Sequence, residues 1–119
     1  MPRPRLLALV GPTAAGKTAL ALALAEEVAA EIVSIDSRQV FRGLDVGTAK
    51  PTREERARVP HHLLDVADPG EPWDAARHAA AARAAIEAIE SRGRPVLLCA
   101  GRDRKSTRLN SSHLVISYA

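Results

Sequence analysis

Between residues 5 and 30 the chain sets an apolar run, a glycine-bounded turn and a long stretch of helix formers end to end, and few folds accept that order. Arg5 to Val10 supplies Leu, Leu, Ala, Leu and Val between Pro4 and Gly11, which suits a strand buried on both faces of a parallel sheet. Gly11, Pro12, Thr13, Ala14, Ala15, Gly16, Lys17 and Thr18 then spell GxxxxGK(S/T). From Lys17 to Ala30 nearly every residue favours a helix, with Leu20, Leu24 and Val28 spaced to share a face. Strand, glycine turn and helix together make a phosphate cradle. The glycines let the backbone come close, the N–H groups at the helix start point at the anion, and the helix dipole favours negative charge. Lys17 adds a point charge, and the Thr18 hydroxyl suits Mg²⁺. A glycine-rich turn carrying Lys and Thr by chance would lack this flanking context.

The residues after this helix extend an α/β pattern. Glu31 to Asp36 is Ile- and Val-rich and reads as a second buried strand, closing in the polar cluster Asp36, Ser37, Arg38, Gln39. Phe41 to Pro51 reads as an ordered loop anchored by Val40, Phe41, Leu44 and Val46, after which Thr52 caps a short helix through Arg58. His61 to Val66 suits an edge strand. Asp74 to Ser91 is the clearest helix, with Ala75, Ala79, Ala82, Ile86 and Ile89 on one face and Gly93 as the stop, and Arg94 to Cys99 is a further buried strand. The expected fold class is α/β: a P-loop NTPase-like parallel sheet with flanking helices, truncated at about four strands.

With 119 residues there is room for one modest domain, and 46% hydrophobic with 26% charged residues lies far from the composition of disordered chains. One Trp, one Tyr and one Phe leave Ala, Leu, Val and Ile to build the core. Cys99 is the single cysteine, which excludes an internal disulfide and a cysteine metal cage and points to a reducing compartment, the cytoplasm. The apolar start ends at Gly11, too soon for a signal peptide, and no segment is apolar for long enough to span a membrane.

The net charge of +3 suggests a polyanion partner until its location is considered. Asp103, Arg104, Lys105 and Arg108 contribute a net +2, which leaves +1 for everything before them. The character of the chain also changes there, to Ser, Thr and Asn around scattered basic residues. Asp103 to Ala119 resembles the translation of a widely used sequencing-library adapter read in frame. Residues 1–101 are therefore expected to form the N-terminal part of one domain, and residues 102–119 a non-native, disordered tail from which no function is drawn; the plainer reading is a flexible natural terminus.

A phosphate loop alone does not fix a reaction. The segment Asp36 to Pro51, DSRQVFRGLDVGTAKP, adds that information, and with it the chain resembles the tRNA dimethylallyltransferase (isopentenyltransferase) family. The resemblance rests on four motifs in order: GPTAxGKT; an Asp-Ser pair after the second strand; the GxDxGTAKP loop; and His62, Leu63, Leu64, Asp65 before Asp68 and Pro69. It covers Leu6 to Gly101.

The resemblance implies transfer of a prenyl group from dimethylallyl diphosphate to N6 of an adenosine beside the anticodon of tRNA. Gly11 to Thr18 would then hold the diphosphate, Thr13 would donate toward it as a catalytic residue, and Mg²⁺ would sit at Thr18. Asp36 becomes the candidate base, though a partner of Mg²⁺ or Lys17, or a turn cap, is an equal reading of a lone carboxylate after a strand. Asp36, Ser37, Arg38 and Gln39 match positions that contact tRNA, where amides and guanidinium groups read an unstacked base. Lys50 and Arg42 read as solvated charges, His61 and His62 as structural, and Asp65 and Asp68 as turn residues. A monomeric parent is expected, with tRNA and dimethylallyl diphosphate as partners and no membrane.

The family continues GGTGLY after its next strand, where this chain has Ala100, Gly101 and Arg102, so later tRNA-gripping and diphosphate-clamping residues are missing and the fragment should be inactive. Two competing readings remain: a P-loop small-molecule kinase, which would consume ATP, and a truncated chimaeric reading frame without function.

Overall fold

The computed structural model describes residues 6–10, 15–43, 50–100 and 114–117. Its strands are β1 (Leu6–Val10), β2 (Glu31–Ser34), β3 (His61–His62), β4 (Val96–Ala100) and β5 (Leu114–Ser117), and its helices α1 (Ala15–Val28), α2 (Arg53–Arg58) and α3 (Ala75–Ser91). The strands form one parallel sheet in the order β3-β2-β4-β1-β5. β4 thus lies between β1 and β2, the two strands that α1 connects. A crossover of that kind opens a crevice beyond the carboxyl ends of the strands, where α/β proteins bind ligands.

Alternation along the strands explains the layering. Leu7, Leu9, Ile32 and Leu97 pack on one face with Ala21, Leu22 and Ala25 of α1, and Val59 closes that cluster. Ala8, Val33, Val96 and Leu98 face the other way onto Ala82 and Ile89 of α3. Leu9, Val33, Val96 and Leu97 have no exposed surface, as expected of a sheet covered on both sides.

Helix termini follow their local chemistry. Thr52 and Glu55 form a reciprocal capping box at α2, and Asp74 caps α3 by accepting from the Arg77 N–H at 2.8 Å. α3 ends as expected at Gly93 (φ +79°), whose N–H donates to the Glu90 carbonyl while that of Arg94 reaches Ile89.

The buried stripe of α3 differs from the expected one. Ala75 and Ala79 are exposed, and His78 is buried with Ala82 and Ile89. A polar residue replaces alanine on the inner face because the neighbouring strand end offers it a hydrogen-bond acceptor. In α1 the deepest residues are Ala21, Leu22 and Ala25, while Leu20, Leu24 and Val28 flank them. That helix is apolar on several sides, so spacing alone does not select its inner face.

The edge strand expected over residues 61–66 shortens to His61–His62, because Leu63 (φ +69°) and Asp65 (φ +55°) turn the chain away from β2. The expected disordered tail over residues 102–119 needs correcting at residues 114–117, which add a fifth strand beside β1 in the register Leu7↔Leu114 to Val10↔Ser117. Leu-Val-Ile-Ser has the apolar, β-branched character that pairs readily, and β1 would otherwise present an unpaired edge. The rest of that segment lies outside the described residues.

Candidate active site

Gly11, Pro12, Thr13 and Ala14 lie outside the described residues, and Ala15 and Gly16 are placed only as the first two residues of α1. Lys17 follows on the first turn of that helix. Its side chain crosses the carboxyl ends of the strands, and Nζ donates to the Ala100 carbonyl at the end of β4, 2.6 Å away. The residue is 8% exposed. An ammonium that is largely buried at a strand end is well placed to meet an anion, since water screens it less than at the surface.

Thr18, Asp36 and Gln39 line the same open cleft as Lys17, together with Ser34, His61, Leu64 and Cys99. Asp36 follows β2, and its carbonyl accepts from the Gln39 N–H at 3.0 Å, which starts the short 3-10 helix Ser37–Val40. Ser37 and Arg38 are on that turn, but their side chains lie outside the described residues. The structure therefore brings together Lys17, Thr18, Asp36 and Gln39 from among the candidate residues.

Gln39 is held on two sides. The Ser34 hydroxyl donates to its Oε1 at 2.9 Å, and its carbonyl accepts from the Asp65 N–H at 3.1 Å. Ser34 and Gln39 are both buried. Neither Ser34 nor His78, which supports it, stands out on sequence reasoning alone. Their signals were a lone serine closing an apolar strand and a histidine four residues before Ala82, in phase with Ile89.

Lys50 corrects an expectation. Its side chain is 3% exposed, far from a solvated charge, because Nζ donates to the Phe41 carbonyl and to Asp65 Oδ1, both at 2.6 Å. Arg56 grips the other carboxylate oxygen of Asp65 at 2.7 Å. Burial works to raise the Asp65 pKa, but the Lys50 hydrogen bond and then Arg56 overcome it and hold the carboxyl below its ordinary range. Together these residues fix the wall of the cleft that carries Leu64. Arg42 is indeed a surface charge, paired with the exposed Asp68.

Both histidines make hydrogen bonds within the fold. His61 Nδ1 bonds the Val59 carbonyl, and burial lowers its pKa. His62 bonds Glu31. Burial pushes the Cys99 thiol up to about 11 against the opposing pull of Lys17, so it sits in the cleft as a neutral thiol. Among the described residues no group of three His, Cys, Asp or Glu side chains can hold a metal, and no helix is long and apolar enough to cross a membrane.

Known proteins match this chain along almost all of its first 102 residues. The IPP transferase family model matches residues 39–102, and that of isopentenyl transferase residues 4–66. A tRNA dimethylallyltransferase of Anaeromyxobacter sp. (strain K) is 63% identical over 97 residues, covering 82% of this chain and 32% of the relative. One from Halorhodospira halophila is 60% identical over 94 residues, 78% of this chain and 30% of that protein. Among solved structures, the full-length tRNA isopentenylpyrophosphate transferase of Bacillus halodurans superposes with a TM-score of 0.77 at 39% identity, covering 92% of this chain and 40% of its own. A eukaryotic dimethylallyltransferase acting on tRNA gives 0.74 at 29% identity, covering 83% and 24%. The chain thus spans about a third of the length of the curated relatives it matches, and it belongs to the IPP transferase family.

Proposed function

We propose that residues 1–101 are the phosphate-binding part of a tRNA dimethylallyltransferase, and that the whole protein moves the dimethylallyl group of dimethylallyl diphosphate onto N6 of an adenosine beside the anticodon of tRNA. The observation that carries this reading is the convergence of Lys17, Thr18, Asp36 and Gln39 on one cleft at the crossover of the sheet.

In the reaction the C–O bond of the donor breaks, an N–C bond forms, diphosphate leaves, and the adenine nitrogen gives up a proton. Lys17 and the backbone of Gly11 to Thr18 stabilise charge on the departing diphosphate. Thr13 donates to the same group. Asp36, a carboxylate lining the cleft, accepts the proton. Ser37, Arg38 and Gln39 contact the tRNA base and its neighbours.

The cleft also suits Mg²⁺. The Thr18 hydroxyl lines it and offers an oxygen donor, and such an ion takes the rest of its coordination from water and phosphate oxygens. Thr18 would hold it, and when bound it neutralises diphosphate charge.

Residues 102–119 take no part in this reading. The IPP transferase match ends at residue 102, where that expected tail begins. The test joins residues 1–101 to the remaining two thirds of the Anaeromyxobacter relative and supplies tRNA with dimethylallyl diphosphate. Prenylated adenosine should form, Lys17→Met and Asp36→Asn should each abolish it, and the 119-residue chain alone should make none. Transfer of phosphate from ATP by the joined protein, with no prenyl transfer, would favour a kinase instead.

A further inference from the structure

Behind the cleft a line of hydrogen bonds runs from the start of α3 to Gln39. Trp73 Nε1 meets His78 Nδ1 at 3.0 Å, His78 Nε2 meets the Ser34 carbonyl at 3.0 Å, and Ser34 Oγ meets Gln39 Oε1 at 2.9 Å. The partners fix the chemistry of the ring. An indole N–H only donates, so Nδ1 must accept; a carbonyl only accepts, so Nε2 must carry the proton. His78 is held as one neutral tautomer, and at 6% exposure it is sheltered from water.

The Ser34 carbonyl needs this donor. The ladder between β2 and β3 ends at the Val33↔His62 pair, one residue earlier. A buried carbonyl beyond the last rung costs stability unless another donor reaches it. His78 provides that donor from the helix on the far face of the sheet, while the Ser34 side chain points into the cleft. The supply side is also anchored. Arg77 lies over the Trp73 ring, 4.7 Å from its centre, and its guanidinium is tied to the Pro72 carbonyl and Glu71. Asp74 caps the same turn.

We propose that His78 is a positioning residue: clamped by Trp73 as the Nε2–H tautomer, it fixes the Ser34 peptide so that the Ser34 hydroxyl sets the orientation of the Gln39 carboxamide in the cleft. The role in base recognition rests on the function proposed above; the positioning does not. With Oε1 engaged by the Ser34 hydroxyl, the orientation of the carboxamide is fixed, and an amide N–H is the kind of donor that matches acceptor atoms on a purine edge.

The experiment uses the 119-residue chain, labelled with ¹⁵N. Long-range ¹H–¹⁵N correlations should show His78 as the Nε2–H tautomer. Trp73→Phe keeps an aromatic ring but removes the N–H, and should mix the two tautomers and shift the Gln39 side-chain amide signals. His78→Leu should shift them further, and His78→Gln, whose amide can still donate to Ser34, should restore them. Adenosine, titrated with magnesium pyrophosphate present, should bind about five-fold more weakly to His78→Leu, the loss of one hydrogen bond's worth of orientation, while pyrophosphate affinity stays unchanged. An Nδ1–H tautomer in the unmodified chain overturns the proposal, as do Gln39 signals indifferent to both Trp73→Phe and His78→Leu. The Trp73 variant and the unmodified chain keep the test decisive if His78→Leu unfolds. Intact coupling from His78 to Gln39 without any adenosine effect at Gln39 upholds the positioning and removes only base reading by this residue.

Discussion

The two ends of β2 solve the same problem in different ways. At its start, Glu31 is nearly enclosed, its side chain 5% exposed, and His62 from β3 and Arg92 and Arg94 from the end of α3 surround its carboxylate. Charge there is balanced by charge within the chain. Past its finish, uncharged groups take part: the Ser34 hydroxyl meets Gln39, His78 meets the Ser34 carbonyl, and Lys17 donates to the Ala100 carbonyl. The first arrangement locks a sheet end, whereas the second orients groups toward an open cleft while leaving the Lys17 charge in a sheltered position. A strand can therefore be structural at one end and receptive at the other: one end closes on itself through ion pairs, and the other carries polar groups into a cleft.

The sharpest way to break the contrast is to damage both ends together. Leu97 has no exposed surface and pairs with Ile32 in the sheet, so Leu97→Ala should lower stability by about 2–5 kcal/mol in denaturant unfolding, and should weaken pyrophosphate binding only through loss of folded protein.

Lys17→Met should separate the ends. Losing a charge-assisted contact should reduce magnesium pyrophosphate affinity by about 10- to 100-fold in calorimetry, with the acid response of the Glu31 end unchanged. An equal loss of affinity in Glu31→Gln would erase the distinction.

Glu31→Gln addresses the opposite end. Burial works to raise the Glu31 pKa, yet hydrogen bonds from Arg92 and His62 more than compensate, so it lies below the ordinary value of 4.5. A depressed carboxylate stabilises the fold above its unfolded pKa and loses that contribution as pH falls through the folded one. The melting midpoint should therefore fall below pH 4.5, and Glu31→Gln should flatten that fall, leaving a part that Asp65 supplies by the same logic. His61 acts earlier, because its lowered pKa means the unfolded chain takes up a proton first as pH drops below 6.5. At neutral pH the Glu31→Gln cost should be about 1–3 kcal/mol.

Arg42→Ala should do least. Its pair with Asp68 is exposed on both sides, 54% and 72%, and its removal should leave the melting midpoint and pyrophosphate affinity alike unchanged.

Sequence reading reached the receptive end more easily than the locked one. Lys17, Thr18, Asp36 and Gln39 were legible because a phosphate loop and the polar cluster after a strand are local patterns, each contained in a few residues. The positions of β1, β2 and β4, the capping of α2 and the stop of α3 at Gly93 were legible for the same reason. Lys50 and His78 were not. Lys50 reaches Asp65, 15 residues away, and His78 reaches Ser34, 44 away, so their burial depends on partners that no local pattern names. A charged or polar residue is read as surface until something far along the chain is seen to meet it. The fifth strand was hidden differently, since Leu114–Ser117 gains its role from a vacancy beside β1 rather than from its own neighbours.

That vacancy has a bearing on how copies of the chain would behave toward one another. β5 covers β1 from Leu7 to Val10 with only four residues, joined to the rest through a long intervening stretch. When that short rung lifts, the main-chain amides and carbonyls along the flank of β1 become a template open to any extended peptide at hand.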